Sequence, residues 1–282
     1  MKKKSKVLCM VLGIVAALLL TAGYLLYVSF NGSVIVKVLL TGKVERYVAE
    51  QYPELPLKVQ KAGYDFKVMG YYCYVYSPES QDTSFTVWKN GRELEDDYSH
   101  RVLEKENTVI RLMQEADTYT EQVIGEMLPY RTALVLCDNG NSSQEEKRDY
   151  ITLDQPFDPT DYPFDCNLTI WVETQREHPD WQELAGMLRE VKQIAAGHLP
   201  FVKTYSITIL EKFVEVDGEY RSDNLASEVC VAEVPGEIIK GEELEAYLEG
   251  ERAAAEAEKQ AIAAGVYEKE KLQEIRSAAA DN

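Results

Sequence analysis

The amino-acid sequence predicts an α+β fold, with one N-terminal transmembrane helix followed by two small layered domains and a C-terminal helical tail. Three observations predict it. An uncharged apolar run from Val7 to Phe30 stands behind Lys2, Lys3, Lys4 and Lys6. Beyond it, apolar residues at helical spacing alternate with short runs of β-branched and aromatic residues, each closed by Pro, Gly, Asn or Asp. From Gly241 onward the composition shifts to Ala, Glu, Lys and Leu, and the apolar face thins.

Val7 to Phe30 is long enough to cross a bilayer, since a hydrocarbon core of about 30 Å takes roughly 20 apolar helical residues. Tyr24, Tyr27 and Phe30 gather at its far end, where amphipathic rings favour the interface. The lysines occupy one side only, so residues 1–6 are expected in the cytoplasm as a basic stub, with every later residue outside the cell membrane. A cleaved signal peptide is the alternative, with Thr21 and Gly23 as small residues before a cut. Its apolar region usually runs about 7 to 15 residues, shorter than this one. The partner predicted for Val7 to Phe30 is membrane lipid.

The first folded region is expected over residues 43–130. Lys43 to Tyr52 reads as a helix through Val44, Tyr47 and Val48, ended by Pro53. Leu57 to Val68, Tyr71 to Tyr76 and Ser84 to Trp88 read as strands, the last leading into an Asn90-Gly91 turn. Tyr71, Tyr72, Tyr74 and Tyr76 resemble a carbohydrate platform only until period-two alternation splits them between two sheet faces. A helix then starts near Asp96, with a break expected around Asp117 and Thr118 before a second piece reaches Pro129.

The second region is expected over residues 131–240. Thr132 to Cys137 reads as a buried strand closed by Asp138-Asn139-Gly140-Asn141, and Asp149 to Leu153 as a weaker one. A loop with Pro156, Pro159 and Pro163 precedes a strand from Asn167 to Glu173. His178-Pro179-Asp180 opens the clearest helix, with Trp181, Leu184, Leu188, Val191 and Ala195 on one face and Gly197 at its end. Tyr205 to Val216 and Glu228 to Val234 complete the strands. Residues 241–282 read as one charged helix that docks through Leu244, Tyr247 and Leu248 and then frays.

The order YVAEQYP (Tyr47 to Pro53), AGYDFK (Ala62 to Lys67), Gly70-Tyr71-Tyr72, DTSFTV (Asp82 to Val87) and Asp96-Asp97-Tyr98 resembles the N-terminal part of the YfjL-like proteins. The resemblance is good over residues 1–130 and loose beyond. It implies a membrane-anchored protein of a Gram-positive bacterium and supplies no catalytic residue. The helix-then-meander order is also similar to PepSY and cystatin-like shapes, some of which regulate peptidases, an analogy of fold alone.

Chemistry-bearing patterns are sparse. Asp154, Asp158, Asp161 and Asp165 line one Pro-punctuated loop and are the candidate oxygen ligands for Ca²⁺, although they miss the EF-hand pattern and Asp-Pro turns explain them as well. A Cys/His hydrolase would pair Cys166 or Cys230 with His178 or His198, but those cysteines read as strand-buried and therefore inert. HExxH, GxSxG, P-loop, GxGxxG and CxxC motifs are all missing, so no catalytic residue and no cofactor is predicted. Outside the apolar run, Cys73, Cys137, Cys166 and Cys230 permit disulfides without requiring them. Asn31, Asn141 and Asn167 match the glycosylation pattern, which arises often by chance.

Beyond residue 30 the chain carries 48 acids against 26 bases, a formal charge of −22 that repels phosphate backbones and disfavours nucleic-acid binding. The expected function is that of a membrane-anchored extracytoplasmic module, non-enzymatic, that binds or regulates an envelope protein or peptide. The alternatives are an anchored hydrolase whose site assembles only in three dimensions, and a structural spacer in the envelope.

Overall fold

A computed structural model describes residues 2–128, 131–136, 150–173, 181–210, 214–216, 219–221 and 229–280. The protein is α+β. It divides into two compact units, residues 1–110 with 151–155, and residues 111–150 with 156–282.

The first unit opens with helix α1 (Lys2–Asn31), one helix long and apolar enough to cross a membrane. Gly32 at φ +72 breaks it, and Ser33 is extended before α2 (Val34–Gln51) begins. Helix α2 starts nine residues earlier than the expected Lys43, because Val34 to Thr41 contains no breaker once Gly32 and Ser33 are passed. Leu40, Val44 and Val48, spaced by four, form its buried face, and the Tyr52 amide closes it on the Val48 carbonyl just before Pro53.

Five antiparallel strands follow: β1 (Lys58–Val59), β2 (Gly63–Asp65), β3 (Gly70–Tyr76), β4 (Ser84–Asn90) and β5 (Glu93–Asp96). Their order is β1-β3-β4-β5, with β2 also paired to β3. The stretch read as one strand from Leu57 to Val68 is thus two short ones, both paired to β3. Cys73, Val75, Phe85 and Val87 point into the core shared with α2, while Tyr74 is exposed, as period two requires. Asn90 pairs with Glu93, and Gly91 at φ +58 supplies the positive φ that a two-residue hairpin loop demands. A π-helical turn (Ser99–Leu103) then seats Val102 in the same core.

Helix α3 (Glu106–Met127) is continuous, without the expected break at Asp117 and Thr118. Both side chains are occupied in ways that leave the helix intact. The Asp117 carboxylate accepts the Leu134 amide at 2.7 Å, and the Thr118 hydroxyl donates back to the Gln114 carbonyl at 2.8 Å.

The second unit holds β6 (Arg131–Leu136), β7 (Cys166–Glu173), α4 (Trp181–His198), β8 (Val202–Leu210), the small hairpin β9 (Val214–Val216) with β10 (Glu219–Arg221), and β11 (Val229–Pro235). Its main sheet runs β11-β8-β7-β6. Strands β7 and β8 are parallel, and a parallel pair needs a crossover, which α4 supplies. Leu184, Leu188, Val191 and Ala195 of α4 are fully buried in one core with Ile170 and Ile207. Residues 150–153 form no strand.

A 3₁₀ turn (Ile238–Lys240) leads to α5 (Glu243–Ala263) and α6 (Lys269–Ala280). The single fraying helix expected here is therefore two helices. Gly265 at φ +89 stops the first, and Arg276 of the second reaches Glu258 at 2.7 Å and Glu251 at 2.9 Å. Leu244 and Leu248 join the α4 core, as the sequence indicated.

Candidate binding groove beside helix α2

Helix α2 lies against the first sheet and leaves a groove on either flank. One, of about 580 Å³, runs beside edge strand β1 and is lined by Val48, Ala49, Tyr52, Leu57, Val59 and Tyr76, with Glu45 and Lys58 also at its wall. The other, of about 520 Å³, lies towards β5 and is charged, lined by Lys43, Arg46, Tyr47, Glu50, Glu93 and Leu94.

Tyr52 is the residue that joins groove and core. Its ring packs on Tyr98 at 4.4 Å and on Phe85 at 5.3 Å between centroids. Its hydroxyl donates to Asp96 Oδ2 at 2.9 Å, and Tyr47 donates to the same oxygen at 2.6 Å. The second oxygen, Oδ1, accepts the Tyr98 amide at 3.0 Å. Burial, reinforced by the neighbouring Asp96 carboxylate, pushes the Tyr47 phenol up to about 12 and that of Tyr52 also upward. Both phenols are therefore neutral donors that fix the end of α2 to β5. Sequence reasoning missed this trio. Its signal was present, in a tyrosine in the last turns of a helix, a second five residues on at its cap, and an Asp-Asp-Tyr at a strand end.

The sequence-predicted ligands have other uses. Asp154, at φ +59, and the buried Asp82 bind each other reciprocally: the Asp82 amide donates to Asp154 Oδ1 at 2.9 Å, and the Asp154 amide to Asp82 Oδ2 at 3.1 Å. Asp158 accepts the Thr160 amide and hydroxyl at 2.8 and 2.7 Å, an Asx-type turn that lowers its pKa. Asp161 donates its amide to the Asp158 carbonyl, and Asp165 sits next to β7. Among the described residues no three His, Cys, Asp or Glu side chains converge to hold a metal.

Cys73 and Cys166 are buried thiols, and burial raises Cys73 to about 11. Cys230, expected to be buried, is exposed, because β11 alternates and places Val229 and Val231 inward instead. Its sulfur accepts the Thr208 hydroxyl at 3.3 Å. His198 is exposed at the end of α4, while His178 and Cys137 fall outside the described residues. Asn167 is buried in β7 and hydrogen-bonded to Ser206 and Thr204, a poor glycosylation acceptor. In the second unit, Lys192 stands 5.0 Å from the Tyr205 ring centroid, its pKa lowered by burial and by Lys240 and Lys203. No sequence motif announced that cluster.

The described residues make up an α+β chain with an apolar leading helix and a helix-flanked antiparallel sheet. Two family models match it. One, described as the YfjL-like N-terminal domain, covers residues 4–98, and the other, the YfjL-like C-terminal domain, covers residues 115–249. The chain belongs to the YfjL-like family, and the likeness first visible between Tyr47 and Tyr98 extends to residue 249 of the second unit. Neither a curated protein nor a solved structure matches it.

Proposed function

We propose that the protein is a single-pass membrane protein whose two α+β domains lie outside the cell and bind an extended segment of an envelope protein or peptide in the groove beside β1. The observation that carries this reading is the groove itself. It is apolar along Val48, Leu57 and Val59, carries one charge of each sign at Glu45 and Lys58, and borders a two-residue edge strand. An edge strand offers unpaired backbone groups to which an added strand can pair, while a neighbouring pocket selects a side chain. Apolar α1, with no residue of its hydropathic window buried, supports the anchor, and the lysines before it support a cytoplasmic N-terminus.

The test is photo-crosslinking in intact cells from a benzophenone side chain at exposed Ala49, with exposed Lys89 as control. A discrete adduct at Ala49 alone is expected, and no reproducible adduct there would overturn the binding reading. Labelling of exposed Cys230 by a membrane-impermeant maleimide before lysis tests the orientation. Reaction only after lysis would place the folded units in the cytoplasm.

A further inference from the structure

Beside the C-terminal end of α1 lies an apolar surface that no core uses. The first turns of α2 present Val34, Ile35, Val38 and Leu39 outward, each more than three-fifths exposed, while Leu40, Val44 and Val48 form the buried side. Next to them the turn between β2 and β3 carries Phe66, Val68 and Met69 into the open, the last two 73% and 75% exposed. Met69 stands at φ +49, a left-handed position where glycine or asparagine is the inexpensive residue in water. The turn instead displays a large apolar side chain at its tip.

Both patches are fastened to α1. The rings of Phe30 and Phe66 lie 6.0 Å apart, and the Ser33 amide donates to the Tyr71 hydroxyl at 2.7 Å. Gly32 lies against Tyr64 and Tyr71, themselves packed at 4.7 Å. Phe66, Val34 and Ile35 therefore sit at the depth of Phe30, wherever that residue is placed. Val7 to Phe30 rises about 36 Å at 1.5 Å per residue, somewhat more than the roughly 30 Å of a hydrocarbon core. If α1 spans the bilayer, Phe30 has reached the far headgroup boundary, and whatever is packed on it lies there too.

We propose that the turn Phe66–Met69 and the first turns of α2 form a second membrane-seated surface, inserted into the outer headgroup and upper acyl region of the bilayer that α1 crosses. The proposal rests on the reading of α1 as a membrane span. Lipid is the occupant because the chain delivers these residues to the boundary, and because the exposed aromatic, aliphatic and lysine mixture of Phe66, Lys67, Val68 and Met69 suits it. The rings and aliphatic chains enter the acyl boundary while the lysine stem lies along it and the ammonium meets phosphate. Lys37, half-buried, is the one charge between Val34 and Leu39, and the outward side of α2 turns fully charged at Lys43, Glu45 and Arg46, where the seat ends.

The test uses the full chain in vesicles of phosphatidylcholine and phosphatidylglycerol, with a benzophenone side chain placed in turn at Leu18, Val68, Met69 and Glu79. Val68, Met69 and Glu79 are exposed, so packing is left intact. After illumination, mass spectrometry counts lipid adducts. Adducts at Leu18, Val68 and Met69, with yields at the last two roughly fivefold or more above Glu79, are expected for an interfacial seat. Adducts at Leu18 alone, or equal yields at Val68, Met69 and Glu79, would overturn the seat and leave the anchor standing. Failure of the chain to float with the vesicles, with no adduct at Leu18, would overturn both.

Discussion

The two units close their cores by different means. The second buries a mainly aliphatic interior, in which Leu168, Ile170, Leu184, Leu188, Ile207 and Ile209 are all completely covered, with Phe201 and Tyr205 buried among them. The first has far fewer buried side chains and seals its margin with aromatic rings, Tyr47, Tyr52, Tyr71 and Tyr98, whose hydroxyls must find partners. An aliphatic core gains from area alone, whereas a tyrosine margin gains area only if each polar tip is satisfied. Asp96 is the residue that satisfies two of them.

The comparison predicts a ranking. Leu188→Ala should be the most damaging, destabilising the second unit by about 2–5 kcal/mol because the sheet beneath α4 cannot collapse into the cavity. Loss of hydrogen-exchange protection across α4, β7 and β8, with β3 and β4 unaffected, is the measurement. Asp96→Ala should cost the first unit about 1–3 kcal/mol, as two phenols and one amide lose their acceptor. Tyr52→Phe alone should cost about 1 kcal/mol, and a double-mutant cycle with Asp96→Ala should show coupling of at least about 0.5 kcal/mol. Additivity within error would mean that the trio is not a unit.

Titration sharpens the same contrast. Because the folded-state pKa of Tyr47 is about 12, above its ordinary 10.0, folding favours the neutral phenol. Its contribution is complete below pH 10 and is lost as pH rises through about 12. Phenolate absorbance of Asp96→Asn should show the Tyr47 midpoint falling towards 10 without reaching it, since burial, the larger cause, remains. The smallest effect belongs to Arg276→Ala. Its two carboxylate partners on α5 are half-buried, but the guanidinium itself is more than a third exposed, so the loss should stay near or below about 1 kcal/mol and shrink further in salt.

Periodicity made the buried face of α4 legible, because Leu184, Leu188, Val191 and Ala195 repeat at the helical period, although the helix runs through the expected stop at Gly197 to His198. The strands β3, β4, β7 and β11 were legible as short runs of β-branched and aromatic residues bounded by turn residues. The parallel pairing of β7 and β8 was not, since strand direction is a property of the crossover and leaves no mark in either strand. Asp117 and Thr118 resembled a break because such side chains compete with the helix backbone. Here a partner strand takes one and the preceding turn takes the other. Cys230 was misread through its apolar neighbours, although alternation with Val229 and Val231 already set its side. The Asp96 trio stayed hidden because its members lie 44 and 49 residues apart, a separation that only the fold can close. The start of α2 was lost to Asn31-Gly32-Ser33, which ends one helix and begins another with no loop between.

That junction has a mechanical consequence. A flexible tether of n residues lets its cargo wander over about 5–6 Å × √n. Between α1 and α2 there is only Gly32 and Ser33, and both are taken up, one wedged where a β-carbon would come within 2.6 Å of Tyr64 and the other held by Tyr71. The first sheet is therefore not a buoy on a line. It is mounted, so any tilt of α1 is also a tilt of the groove beside β1.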